Sequence, residues 1–248
     1  MRGDLQASEQ HYRELLSFYD PEKHLDPVHL AGLELGSAAR GMIAVAKASM
    51  GYPTQAAEWM REALSTARQR KNNPSEAYIL LWDVLFRVQL LEVETALERI
   101  DSLRDSLSEL GMELLFGPYS DICEGWCRSQ RGEAEAGARL ARAGLDELLR
   151  TGQQTAITHM AALVAQAWSC AGHPEEALRF FDDLRAKADT VGERWLVGET
   201  LQIRGDLLLA LPTPDREGAE ETFREAIQEA KADKAKSVSY THLTLPTN

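Results

Sequence analysis

Small and bulky side chains recur along this chain as a triplet at a nearly constant interval. A small residue is followed by a bulky one four positions on, then by a small residue or Leu seven positions on. The triplet reads Ala56, Met60, Ala63, then Ala96, Ile100, Leu103, and in a weaker form Gly137, Ala141, Gly144. It returns as Ala177, Phe181, Leu184 and as Ala219, Phe223, Ala226. The first members stand at 56, 96, 137, 177 and 219, a period of 40 to 42 residues. A looser copy at the start is Ser8, Tyr12, Leu15. Offsets of four and seven place all three residues on one face of an α-helix. The small residue lets a neighbouring helix come close, and the bulky one fills the space beside it.

Breaks separate the triplets. Gly51-Tyr52-Pro53, Arg131-Gly132, Gly172-His173-Pro174 and Pro212-Thr213-Pro214 each precede a copy. A second set, Asn72-Asn73-Pro74, Gly111, Thr151-Gly152 and Val191-Gly192, lies between them. Glycine closes a helix in the left-handed conformation, and proline suits the first turn of the next. Each unit therefore reads as helix A, tight turn, helix B, looser turn. The A helices are predicted at 28–49, 75–90, 113–130, 154–171 and 193–210. The B helices are predicted at 54–70, 92–110, 133–150, 174–190 and 216–232, and a lone B helix at 4–18. No segment over 1–237 alternates as a strand does. The expected fold is all-α, an α-solenoid of helix–turn–helix repeats whose A helices line the concave side.

Composition narrows the function. With 248 residues, 44% of them hydrophobic, the chain can bury a sizeable core. Acidic residues outnumber basic ones, 39 to 27, for a formal charge of -12. Such a surface repels phosphate backbones, so no nucleic-acid role is expected, and a protein or peptide partner is easier. Cys123, Cys127 and Cys170 are too few and odd in number for a disulfide framework. No apolar leader follows Met1 and no stretch is long enough to span a bilayer, so a cytoplasmic protein is expected, without membrane contact.

The break Gly172-x-Pro174-x-x-Ala177-x-x-x-Phe181 resembles the tetratricopeptide repeat, here with a longer period. A wider set of motifs runs in order along the chain. These are Gly3-Asp4-Leu5, Tyr19-Asp20-Pro21-x-x-His24, Gly51-Tyr52-Pro53-x-Gln55-Ala56, Gly192-Glu193-Arg194-Trp195, Gly205-Asp206-Leu207-Leu208-Leu209 and Ala235-Lys236-Ser237. Together they resemble the tetratricopeptide region at the C-terminus of large bacterial signalling proteins. In those proteins a class III adenylate/guanylate cyclase domain, or a DNA-binding domain, precedes a STAND-type ATPase domain, and the repeats come last. The chain departs from that pattern at Gln202 and over Glu34 to Arg40. The resemblance implies a regulatory, protein-binding domain covering 1–237, a half repeat plus five helix pairs, whose partner is a protein, a peptide or the upstream ATPase domain. The alternative it leaves open is the inducer-sensing repeat domain of a transcriptional activator. Residues 238–248 resemble translated sequencing adapter, so the chain is expected to be a fragment with a non-native tail.

Chemistry-bearing residues are sparse. Cys123 and Cys127 stand at i, i+4, a spacing that could hold a metal, but zinc wants four ligands and no further Cys or His is near in sequence. They and Cys170 are expected to pack as small apolar side chains. His173 before Glu175-Glu176 could serve acid–base chemistry or simply mark a helix start, and His24 is expected to order its loop. Gly32, Gly36 and Gly41 follow no strand, and no phosphate-binding loop is present. The chain is read as non-catalytic, with no cofactor and no metal; a stand-alone enzyme finds no support. Trp82, Trp126, Trp168 and Trp195 fall on A helices, where core is expected over ligand platform. The tetratricopeptide phase implies that Tyr119, Trp126, Gln130, His159 and Gln166 face the concave side and meet the partner. One prediction follows from the tail: deleting residues 238–248 leaves the melting temperature unchanged, and a clear fall on deletion would mean that the tail packs.

Overall fold

The computed structural model describes residues 4–23, 32–153, 155–190 and 195–232. His24, Gly192 to Arg194, Ala235 to Ser237 and the tail 238–248 lie outside them. Eleven α-helices and no strand occur among the described residues. They are α1 Leu5–Phe18, α2 Leu35–Ser49, α3 Pro53–Gln69, α4 Asn73–Gln89, α5 Val93–Leu110, α6 Glu113–Gln130, α7 Ala134–Thr151, α8 Ile157–Cys170, α9 Pro174–Thr190, α10 Val197–Leu209 and α11 Arg216–Ala232. Helices pack mostly on their neighbours in the chain, with further contacts of α2 on α4 and of α8 on α10. The fold is therefore all-α with local packing, as a helical repeat requires. The helices gather into two compact units, one of residues 4–117 and one from Pro118 onward.

One turn is used again and again. Gly51, Lys71, Leu91, Gly111, Gly132, Gly152 and Gly172 all sit just past a helix with positive φ. In each case the following N–H donates to a carbonyl five residues back. Tyr52 N bonds Lys47 O at 2.9 Å, Glu92 N bonds Arg87 O at 2.9 Å and Gln153 N bonds Leu148 O at 3.0 Å. This closure satisfies helix-end carbonyls that would otherwise lack a partner. Helix starts are less uniform. Asp4 caps α1, Asn72 caps α4, and Pro53 occupies the first turn of α3.

Three predicted starts, 28, 154 and 193, lie outside the described residues. The helix expected from 28 begins at Leu35, where the Glu34 carboxylate accepts from the N–H groups of Gly36 and Ser37 and stops the helix growing backward. The helices expected from 154 and 193 begin at Ile157 and Val197, each preceded by a left-handed residue, Ala156 or Leu196. A single left-handed residue resets the chain direction, so the helix cannot extend through it.

Small residues set the distance between paired helices. A Cβ added at Gly125 on α6 would stand 2.5 Å from Ala141 N and 2.5 Å from Gly137 O on α7. At Gly144 it would stand 2.6 Å from Pro118 O. The weak copy of the triplet thus carries no bulky member because the two backbones touch there. In the last pair, a Cβ at Gly205 would enter the ring of Phe223. Polar ties add to this packing: Arg204 donates to both oxygens of Asp182, at 2.7 and 3.0 Å, and to Thr222 Oγ1 at 3.0 Å, joining α9, α10 and α11.

These contacts predict opposite effects at two positions. Gly125→Ala forces α6 and α7 apart and costs about 2 kcal/mol, even after the better helix propensity of Ala. Leu91→Gly relieves the left-handed strain of an exposed side chain and gains about 1 kcal/mol. Urea denaturation measures both, and equal stability of the two variants would contradict this reading.

Candidate functional site

Within the second unit the A helices α6 and α8 are buried along most of their length. On α6 every residue from Pro118 to Cys127 except Asp121 is buried, and on α8 every residue from Ile157 to Ala165 is. The B helices α7 and α9 present charged faces instead, with Arg139, Asp146, Glu175 and Arg179 exposed or partly so. The residues expected on the concave side follow this division. Tyr119, Trp126 and His159 are 5%, 2% and 3% exposed, Gln166 is half-buried, and Gln130 is exposed.

Those residues are brought together in pairs across successive A helices. Trp126 Nε1 donates to Gln166 Oε1 at 2.8 Å, and Gln130 Nε2 reaches Cys170 Sγ at 3.9 Å; both pairs are separated by 40 residues. Tyr119 OH donates to Thr155 O at 3.2 Å. These bonds form a ladder between α6 and α8. His159 stands apart from it, edge-on to Trp195 with ring centroids 5.6 Å apart. Its Nδ1 is buried without a hydrogen-bond partner, and burial pushes the imidazole down to about 4. The ring is neutral at pH 7 and packs as an aromatic side chain.

The cysteines divide. Cys123 and Cys127 are buried on α6, and burial, with Cys127 beside it, pushes the Cys123 thiol well up. Cys170 is exposed at the end of α8, because its helix turn ends in the solvent-facing closure at Gly172. The expectation of three buried thiols is corrected there. Among the described residues no group of three His, Cys, Asp or Glu is placed to share a metal ion. His173 lies at the start of α9, where its carbonyl accepts from Ala177 N at 3.0 Å; its Nε2 is 3.9 Å from Glu135 Oε1. Trp82, Trp126 and Trp195 are buried, while Trp168 is half-buried beneath Arg142, 5.5 Å above the ring, with Phe180 edge-on to it. No helix among the described residues is long and apolar enough to cross a membrane.

A polar cluster that the motifs did not reveal ties the first two helices. Tyr19 OH donates to Glu34 Oε1 at 2.6 Å, and Glu34 N donates to Ser75 Oγ at 2.6 Å. Burial opposes the charge on Glu34, yet the hydrogen bonds from Tyr19, Ser37 and Gly36 hold its carboxyl below the usual range. The same environment, burial first and the Glu34 bond and charge next, pushes Tyr19 up to about 12. A Cβ at Gly36 would stand 2.8 Å from the Tyr19 ring, so glycine is required there. Of these residues only Tyr19 stands in one of the motifs of the sequence.

Family models, curated proteins and solved structures were compared with the chain, and none matches. The functional reading therefore rests on the chain's own geometry and sequence motifs.

The His159 ring predicts a pH effect. An unfolded histidine takes up a proton near pH 6.5, while the buried one does so near 4. Between those values the unfolded state binds more protons, so stability falls as pH drops from about 6.5 to 4 and is retained above. The loss is about 3 kcal/mol at full extent. Denaturation of the wild type and His159→Leu across that range measures it. The wild type should lose stability that the variant keeps, and parallel pH profiles would contradict the assignment.

Proposed function

We propose that this chain is a regulatory protein-binding repeat domain, an α-solenoid of the tetratricopeptide type. We further propose that it belongs to a bacterial signalling ATPase linked to a nucleotide cyclase. The observation that carries the reading is the division of labour between helices. The A helices are buried and bonded to one another by the Trp126–Gln166 and Gln130–Cys170 pairs, while the B helices carry the charge. Such a spine transmits a change in the angle between one pair and the next, because each helix contacts only near neighbours. The bond separation of 40 residues agrees with the period of the triplets.

In this reading Gln130 and Gln166, at the solvent end of the ladder, are the partner-facing residues. The buried Tyr119, Trp126 and His159 set the spacing of the helices behind them. A protein or peptide partner, or the upstream ATPase domain of the parent chain, engages that edge and alters the relation of α6 to α8. The changed geometry biases the nucleotide-hydrolysing domain. This segment itself neither hydrolyses nor cyclises nucleoside triphosphates.

Recovery of the flanking reading frame tests the assignment, followed by ATP-hydrolysis assays of the parent with and without this domain. An upstream STAND-type ATPase whose rate changes several-fold on removal of the repeats is expected. A parent with no such domain, or nucleotide turnover by this chain that vanishes on a point mutation, would overturn it.

A further inference from the structure

Helices α3, α4 and α5, all within the first unit, enclose an open cleft of about 650 Å³. Its floor is apolar: Met60 and Leu64 of α3 are 1% and 8% exposed, with Ala57 beside them. Its walls are cationic. Arg61 and Arg68 come from α3, Arg87 from α4 and Arg99 from α5, against two acidic residues of the lining, Glu58 and Asp83. Four guanidiniums line it against two lining carboxylates, with Glu76 and Glu92 at its margin paired to Arg68 and Arg87.

The guanidiniums are not equally engaged. Asp83 is buried at 1% exposure, and its two oxygens are divided between Arg87 Nε at 3.1 Å and Arg99 Nε at 2.9 Å. Arg87 also donates to Glu92 at 2.7 Å, and Arg68 donates to Glu76 at 2.7 Å. Arg99 differs. Its Nε is buried 2.9 Å from Asp83 Oδ2, and its Nη groups have no polar partner among the described residues. Arg61 has no polar partner among the described residues, and Glu58, one turn before it, has none either. Asp83 therefore fixes Arg99 in place by charge while leaving its planar donor edge unspent. Arg61 stands on the opposite wall with all of its donors free. Two forks with unused N–H groups over an apolar floor match an oxyanion attached to an apolar body.

We propose that the cleft between α3, α4 and α5 binds a small organic oxyanion, a phosphate ester or carboxylate with an apolar body, through Arg61 and Arg99. The apolar part lies on Met60, Leu64 and Ala57. Glu58, one turn before Arg61, lowers the affinity of the cleft for an anion through its charge. The assignment is independent of the regulatory reading above, since it rests on side chains of α3, α4 and α5 alone.

Calorimetric titration of the full chain, at ionic strength held constant with sodium chloride, tests it with three probes. Phenyl phosphate and phthalate carry the same ring with different oxyanions, and inorganic phosphate carries no apolar part. At least one ring-bearing anion should bind, and more tightly than inorganic phosphate; the tighter of the two identifies a phosphate or a carboxylate ligand. Arg61→Gln, which breaks no bond of the folded protein, should weaken binding about ten-fold. Glu58→Gln should tighten it. Binding of neither ring-bearing anion, no preference over inorganic phosphate, or an unchanged affinity in Arg61→Gln would each overturn the proposal.

Discussion

Gly125 and Gly137 let the backbones of α6 and α7 touch, and the order of the second unit depends on that approach. With the B helix seated this close, Ala141 and Gly144 need no bulk, and the core shifts to the other faces of α6 and α8. Ile122, which faces Gly144 across the seam, and Cys123, Met160 and Val164 are all no more than 1% exposed. Close packing of this kind tolerates little added volume, because protein interiors are already as dense as organic crystals. The consequence is a buried A-helix spine and polar B helices, the arrangement on which the functional reading stands. In the last pair the same role passes to Gly205, which receives the Phe223 ring, so the triplet's bulky member and the opposing glycine are two halves of one contact.

Helix type and order were legible because the triplet keeps one face apolar over every B helix. Ends marked by Gly51, Gly111, Gly132, Gly152 and Gly172 were legible too, since a left-handed closure favours glycine. The closures at Lys71 and Leu91 were only partly so: Asn72-Asn73-Pro74 marks the first, but nothing in residue type marks the second. Leu91 adopts positive φ because the helices on either side fix the turn, and local preference yields to packing. Ala156 and Leu196 hide their helix starts for the same reason. Tetratricopeptide phase pointed Tyr119, Trp126 and His159 toward the concave face. It could not distinguish a side chain facing a groove from one facing the next helix, since both lie on the same stripe. The pairing partners make that distinction: Trp126 meets Gln166 and His159 meets Trp195.

Charge has two distinct uses in this chain. Several ion pairs among the described residues are exposed i, i+3 or i, i+4 contacts on helix surfaces, such as Arg142–Asp146 and Arg224–Glu220, and contribute little to stability. The buried exceptions organise structure instead. Glu34 spends its charge on the start of α2, and Asp83 holds two arginines at the edge of a cleft. A buried carboxylate is costly unless its bonds are satisfied, so such residues reveal where geometry is constrained. Neither Glu34 nor Asp83 belongs to a motif, and their roles emerge only when residues 15 or 16 positions apart are brought together.

If each helix pair is held by its own small-residue seam, loosening one seam leaves distant pairs intact. Hydrogen exchange read helix by helix in Gly125→Ala decides this. Protection should fall in α6, α7 and α8 while amides of α2, α3 and α4 keep their wild-type rates under the same conditions. An equal loss of protection in α2 to α4 would show one cooperative core and contradict it.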